Sequence, residues 1–224
     1  MADAFLDAVE RRRTYYSLSD ASPISDARIQ SLVERATQHA PSAYNVQSAR
    51  VVLLLGERHK QAWRTVAESY ASTVPPSNSG TQQQEQREAD EQARQARRQR
   101  TEKFGSETYG SVVFLENRED IEAQYVQSPD FKESKAFDVW SENATGMLQF
   151  AVWTALEAEG LGASLQHHVS TYPAVGRALT EHLALPSSWQ CTAMMPFGTP
   201  AGPPGRPGKE KPFKPIRDRV IIFK

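Results

Sequence analysis

From Met147 to Ala158 the chain is apolar almost without interruption, with Met147, Leu148, Phe150, Ala151, Trp153, Ala155 and Leu156 in one run. The residue types favour helix, and no stop signal occurs before Gly160 and Gly162. A helix with one apolar stripe needs cover on one side, whereas a helix apolar all round needs cover on every side. The sequence therefore requires that this helix be central, or that it lie across an interface between subunits. It is too short to span a membrane, and no other apolar run approaches the roughly 20 residues a span needs.

The remaining elements arrange themselves around it. Phe5, Leu6 and Val9 form a stripe on a first helix. Ile29, Leu32, Val33 and Ala36 follow at helical spacing, with Ser25 or Asp26 as the N-cap. The runs at 51–56, 111–116 and 219–223 ("VVLLLG", "SVVFLE", "RVIIF") are short, apolar and rich in β-branched residues, which predicts three buried strands. A helix at "PAVGRALTEHL" and a further strand in "CTAMMPFG" complete the order. Helices and strands so mixed point to an α/β or α+β fold of one domain over 1–224. A polar insertion is expected at about 76–103 and a C-terminal arm at about 199–224. The insertion is almost free of apolar residues, so it is read as helical in propensity but outside the core. Its basic end, "RQARRQR", is a solvated arm, a localisation signal or an anion patch.

Composition excludes several functions. With 26 basic and 27 acidic residues, the 224-residue chain has no bulk charge with which to bind nucleic acid. Its one cysteine, Cys191, allows no internal disulfide and sits in an apolar run, which fits a small core residue. The N-terminal segment lacks an apolar signal region, so a cytoplasmic protein is expected, with a nuclear destination left open by the basic run. The five histidines have no metal-ligand spacing with carboxylates or with Cys191, so no metal is expected. "EGLGASLQHH" fails the dinucleotide pattern, because Leu165 stands where the third glycine belongs and a helix, not a strand, precedes it. No triad or carboxylate pair can be assembled, so no residue is assigned as catalytic.

Two clusters call for explanation. "RRRTYYSL" at 11–18 is either a helix terminus complementing the macrodipole or a grip on phosphate. "PSAYNVQ" at 41–47 links a helix to a strand but carries far more hydrogen-bonding capacity than a turn needs.

Taken in order, "RRRTYYSL", "HAPSAYNVQSARVVLLLGERHKQAW", "TYGSVVFLE", "VWSENATGMLQFAVWTALEAEGLGASLQHH" and "MMPFGTPAG…FKPIRDRVIIF" resemble the nitroreductase-like FMN flavoproteins. The nearest branch is that of short fungal and bacterial proteins related to the yeast fatty-acid-repression proteins. The resemblance implies a central mixed sheet flanked by helices in an intertwined homodimer, with FMN sites built from both chains. It places the FMN phosphate on Arg12, Arg13 and Thr14, with Arg11 as an alternative register and with Lys214 or Lys211 closing the site. The ring edge and ribityl chain fall to Pro41, Ser42, Asn45 and Gln47, and the reactive face to Leu165, Gln166 and His167. It further implies ping-pong transfer from NADH or NADPH to nitroaromatic or quinone-type small molecules, and a link to oxidative stress. The alternative is an FMN-binding regulatory or sensing module with little turnover.

Overall fold

The runs at 51–56 and 111–116 find one another. They form β2 (Ala49–Leu55) and β3 (Gly110–Asn117), antiparallel and in register from Ala49 opposite Glu116 to Leu55 opposite Gly110. The third partner is β5 (Trp189–Pro200), which grows out of "CTAMMPFG" and pairs with the other side of β3 through a bulge at Phe114 and Leu115. Two short strands, β1 (Leu18–Ser19) and β4 (Gly162–Ala163), add to the far end of β5. The sheet order is β1-β5-β3-β2, with β4 beside β5. This is a computed structural model, and it describes residues 2–76, 83–206 and 208–224.

Every residue of β3 is buried because helices cover both sheet faces. On one face Val112 and Phe114 meet Ile29 and Val33 of α2 (Asp26–His39) and Leu148, Val152 and Leu156 of α6 (Ala136–Ala158). On the other, Val113 and Leu115 meet Ala62, Trp63 and Val66 of α3 (Gly56–Ser72) and Val175 and Leu179 of α8 (Pro173–His182). Alternate residues of one strand thus feed two cores, the period-2 rule of a pleated sheet. The remaining helices are α1 (Ala2–Arg11), α4 (Gln83–Ser106), α5 (Arg118–Gln127) and the one-turn α7 (His168–Thr171). The mixed α+β expectation holds. Ser25 is the N-cap of α2, its side chain accepting from Arg28 N–H at 3.3 Å.

α6 ends as its glycines foretell. Gly160 adopts φ 86°, its N–H donates to Glu157 O at 3.0 Å, and Leu161 N–H reaches back to Leu156 O at 3.0 Å. These two bonds make a Schellman motif, sealed by Leu156 and Leu161 in the core. One side of α6 does not meet the sheet: Met147 is 45% exposed and Val139 also faces solvent. A single chain therefore covers this helix on one side only. Phe5 and Leu6 of α1 are likewise exposed.

Two expectations need correction. "RVIIF" forms no strand: beyond a short 3-10 turn at Ile216–Asp218 the C-terminal residues are irregular, and Phe223 is 93% exposed. β-branched residues fit a pleated surface, but a strand exists only beside another, and among the described residues no strand lies beside this segment. The polar segment, in turn, is no detached arm. Residues 77–82 of the expected insertion lie outside the described residues, and the rest belongs to α4, which packs along α3. Its covered positions Gln86, Asp90, Arg94, Arg97, Thr101 and Phe104 recur at three- and four-residue steps, with Glu102 and Gly105 covered beside them. Arg97 donates to Thr73 Oγ1 at 2.9 Å and lies over the Tyr70 ring at 4.6 Å, while Phe104 packs on Trp63. The seam is helical in period but polar in composition, so a search for an apolar stripe passes over it.

Candidate functional site

The arginine segment is fixed at its main chain. α1 stops at Arg11, and Arg13 N–H donates to Glu157 Oε2 of α6 at 2.7 Å. Tyr15 N–H then donates to Ala163 O of β4 at 3.0 Å, and Thr14 O accepts from Gly205 N–H at 2.7 Å. Gly205 has φ 81°, which a glycine adopts without strain, and a Cβ there would stand 3.6 Å from the Arg13 guanidinium. The Arg12 guanidinium lies over Trp153, 4.4 Å from the ring centroid, and its Nε is buried with no hydrogen-bond partner among the described residues. Burial holds Glu157 above the usual carboxylate range, against the pull of the Arg13 N–H and of Arg12, Arg11 and Arg13. A cavity of about 180 Å³ opens beside Arg11, Tyr15, Glu157 and Leu161.

The polar turn is strained. Pro41 leads into a 3-10 turn at Ala43–Asn45 in which Tyr44 (φ 55°) and Asn45 (φ 54°) are left-handed, followed by Gln47 at φ 52°. Non-glycine residues in that region cost on the order of 1 kcal/mol each, and such clusters persist where surrounding structure enforces them. Ser42 is the clasp: its carbonyl accepts from Asn45 N–H and its Oγ from Gln47 N–H, both at 3.0 Å. The Tyr44 ring stacks on Trp140 and meets Phe131 and Phe137 edge-on, all three in or beside the first turns of α6. The side chains of Asn45 and Gln47 are exposed and make no hydrogen bond among the described residues.

The loop after α6 continues the same region. Gln166 exchanges both main-chain hydrogen bonds with Met194 of β5 at 2.7 and 2.9 Å, and its Nε2 donates to Ser164 Oγ. Leu165 packs against the α6-side core, while His167 is exposed at the rim of a cavity of about 680 Å³. That cavity is also lined by Gln190, Cys191 and Thr192 of β5. Its wall includes Glu116, which receives the Thr145 hydroxyl and which burial holds above its ordinary pKa. Burial pushes the Cys191 thiol up to about 12, which keeps it protonated at neutral pH. Among the described residues no group of three or more histidines, cysteines and carboxylates is placed to hold a metal.

Of the residues singled out from sequence, Thr14 bridges Ala163, which leads into the loop that carries Leu165, Gln166 and His167, and His167 itself lines the larger cavity together with Ser141 and Glu142. One chain does not unite the arginines with the turn. The arginines pack against Trp153 and Glu157 at one end of α6, and the turn against Phe137 and Trp140 at the other. Lys211 and Lys214 lie on the exposed C-terminal segment, where Lys211 Nζ sits 5.1 Å from the Phe213 ring. Sequence reasoning missed Glu157, Trp153 and Gly205. A signal for the first exists: acidic residues in the last turn of a helix oppose its dipole and need a local reason. Glu159 has one in its ion pair with Arg28, and Glu157 has one in Arg13.

Comparison with known proteins completes the assignment. The Nitroreductase family model matches residues 9–199. HBN1, a nitroreductase-type protein of Saccharomyces cerevisiae, is 32% identical over 98% of this chain and 96% of its own length. The nitroreductase FRM2 of the same yeast is 30% identical over 93% of this chain and 92% of its own. Among solved structures, the Lactococcus lactis nitroreductase CinD superposes with a TM-score of 0.76 at 27% identity, covering 98% of this chain and 100% of CinD. It has been solved with nicotinic acid, chloramphenicol and 4-nitrophenol. By fold, by sequence and by the order of its elements, this chain belongs to the nitroreductase family.

Proposed function

We propose that this protein is an FMN-dependent oxidoreductase that passes electrons from NADH or NADPH to nitroaromatic or quinone-type acceptors by a ping-pong mechanism, as a homodimer. Family membership supports the oxidoreductase class. Bound FMN would supply the redox chemistry, taking up hydride from the nicotinamide and returning electrons to a second substrate. The chain is read as one domain, with α4 in its insertion and an arm after β5.

The observation that carries this reading is the arginine segment, its main chain held at Arg13, Thr14 and Tyr15, beside a buried Arg12 Nε that has no acceptor among the described residues. A buried guanidinium N–H left unmatched costs stability, and a phosphate oxygen is its natural partner. Arg12, Arg13 and Thr14 would hold the phosphate. The free amides of Asn45 and Gln47 offer donors and acceptors suited to the carbonyl- and nitrogen-rich edge of an isoalloxazine.

The two groups stand 17 residues apart along α6 if measured from Trp140 to Glu157, about 25 Å at the rise of an α-helix. One FMN does not bridge that span within a single chain, so the turn of a second copy is the source of the ring contacts. The exposed sides of α1 and α6 and the unpaired "RVIIF" segment fit the same arrangement. In it the arm lies along a second chain, bringing Lys214 or Lys211 to the phosphate.

An absorption spectrum of the purified protein tests the reading. Flavin bands near about 450 nm that bleach on anaerobic addition of NADH or NADPH support it. Bands that resist both donors favour a binding or sensing role, and a protein that takes up no FMN refutes it. Arg13→Ala or Lys214→Ala should lower flavin retention through gel filtration while leaving the circular dichroism spectrum intact. Full retention in both variants would overturn the phosphate assignment.

A further inference from the structure

Glu157 occupies a place that electrostatics disfavours. It lies in the last turn of α6, at the negative end of the helix dipole, and burial raises its pKa. A carboxylate persists in such a place when a specific contact offsets these costs. The contact here is the 2.7 Å bond from Arg13 N–H, a short, charge-assisted bond of the stronger kind. One turn earlier on the same helix face, Trp153 supports the Arg12 guanidinium.

Three consecutive residues of the segment are therefore tied down: Arg13 at its N–H, Thr14 at its carbonyl and Tyr15 at its N–H. The last two ties are main chain to main chain. Only the first depends on a side chain. We propose that Glu157 is the positioning residue of the anion grip, fixing the Arg13 main chain so that Arg12, Arg13 and Thr14 present one preset site to a phosphomonoester. This rests on the assignment of the phosphate to that segment. The competing role is simple charge balance, in which Glu157 offsets the arginines and weakens phosphate binding. The two roles predict opposite signs when the residue is removed.

Glu157→Ala deletes both charge and acceptor, whereas Glu157→Gln deletes the charge and keeps an acceptor oxygen. The measurements are the dissociation constants of FMN and of riboflavin, which lacks the phosphate, and exchange of the Arg13 amide in ligand-free protein. For Glu157→Ala, FMN affinity should fall about tenfold or more, with riboflavin changed by less than about twofold and the Arg13 amide exchanging faster. Glu157→Gln should restore most of both. Unchanged or tighter FMN binding in Glu157→Ala overturns the proposal, as does an equal loss of FMN and riboflavin, which marks general damage. Wild-type protein that binds neither flavin overturns the cofactor reading itself, and this assignment with it.

Discussion

His59 should make the stability of this protein fall in mild acid. Its ring is fully buried between α3 and the end of α4, with Nε2 3.1 Å from both Phe104 O and Thr108 Oγ1. Thr108 Oγ1 itself donates to Phe104 O. This arrangement fits the neutral tautomer with hydrogen on Nε2, leaving Nδ1 bare, buried and without a partner among the described residues. Charging the ring would place a second N–H where no acceptor waits, beside Lys60. Burial accordingly lowers the pKa from 6.5 to about 4. The sign follows from linkage: a base whose folded pKa is depressed stabilises the fold above its unfolded pKa, and that stability is lost as pH falls toward the folded one. Between pH 7.5 and 5.0 these two values give a loss of about 2 kcal/mol, close to 30-fold in the unfolding constant.

The assay is chemical denaturation of wild type and His59→Gln across that pH range. The glutamine amide can keep the bond to Phe104 O but cannot titrate. Because all other groups are common to both proteins, the difference between their stability curves isolates the ring. Wild type should lose about 2 kcal/mol more than His59→Gln on going to pH 5.0. An NMR titration should find the His59 ring still neutral at that pH. Parallel curves, or a ring that titrates near 6.5, would refute the reasoning.

Two further outcomes follow from packing. A Cβ at Gly198 would stand 2.1 Å from Ser19 O and 3.2 Å from Tyr109 N, both backbone atoms, so Gly198→Ala should destabilise by about 3 kcal/mol or more in thermal unfolding. Removal of residues 216–224 takes away the exposed apolar arm, so sedimentation should find monomer, with flavin content lost in parallel.

What was legible in this sequence was whatever depends on apolar pattern. The buried run of β3, the half-buried run of β2 beside it and the apolar helix could be read directly, because hydropathy records the cover that the sheet's two faces receive. The α3–α4 seam could not, since Arg97, Thr101 and Asp90 line it and polar residues hide a helical period from any hydrophobic count. The turn at 41–47 stood out by its polarity, yet nothing in the letters discloses that Tyr44, Asn45 and Gln47 are all left-handed. "RVIIF" misled for the opposite reason: its strand propensity is real, but pairing is a property of two strands.

The same limit bears on the site. Sequence order puts the arginine segment, the turn and the loop in one list, and a single folded chain then divides that list between the two ends of α6. The helix that most constrains the fold thus acts as a spacer, too long for the cofactor it is read to serve. Its uncovered side carries Met147 and Val139, and in the function proposed above its two ends would each carry half of the site. A second copy related by a twofold axis would cover that side and bring each end of one helix toward the opposite end of the other. Burial of the apolar helix and completion of the site would then be a single event, so a variant that weakens the dimer should lose FMN before it loses its fold.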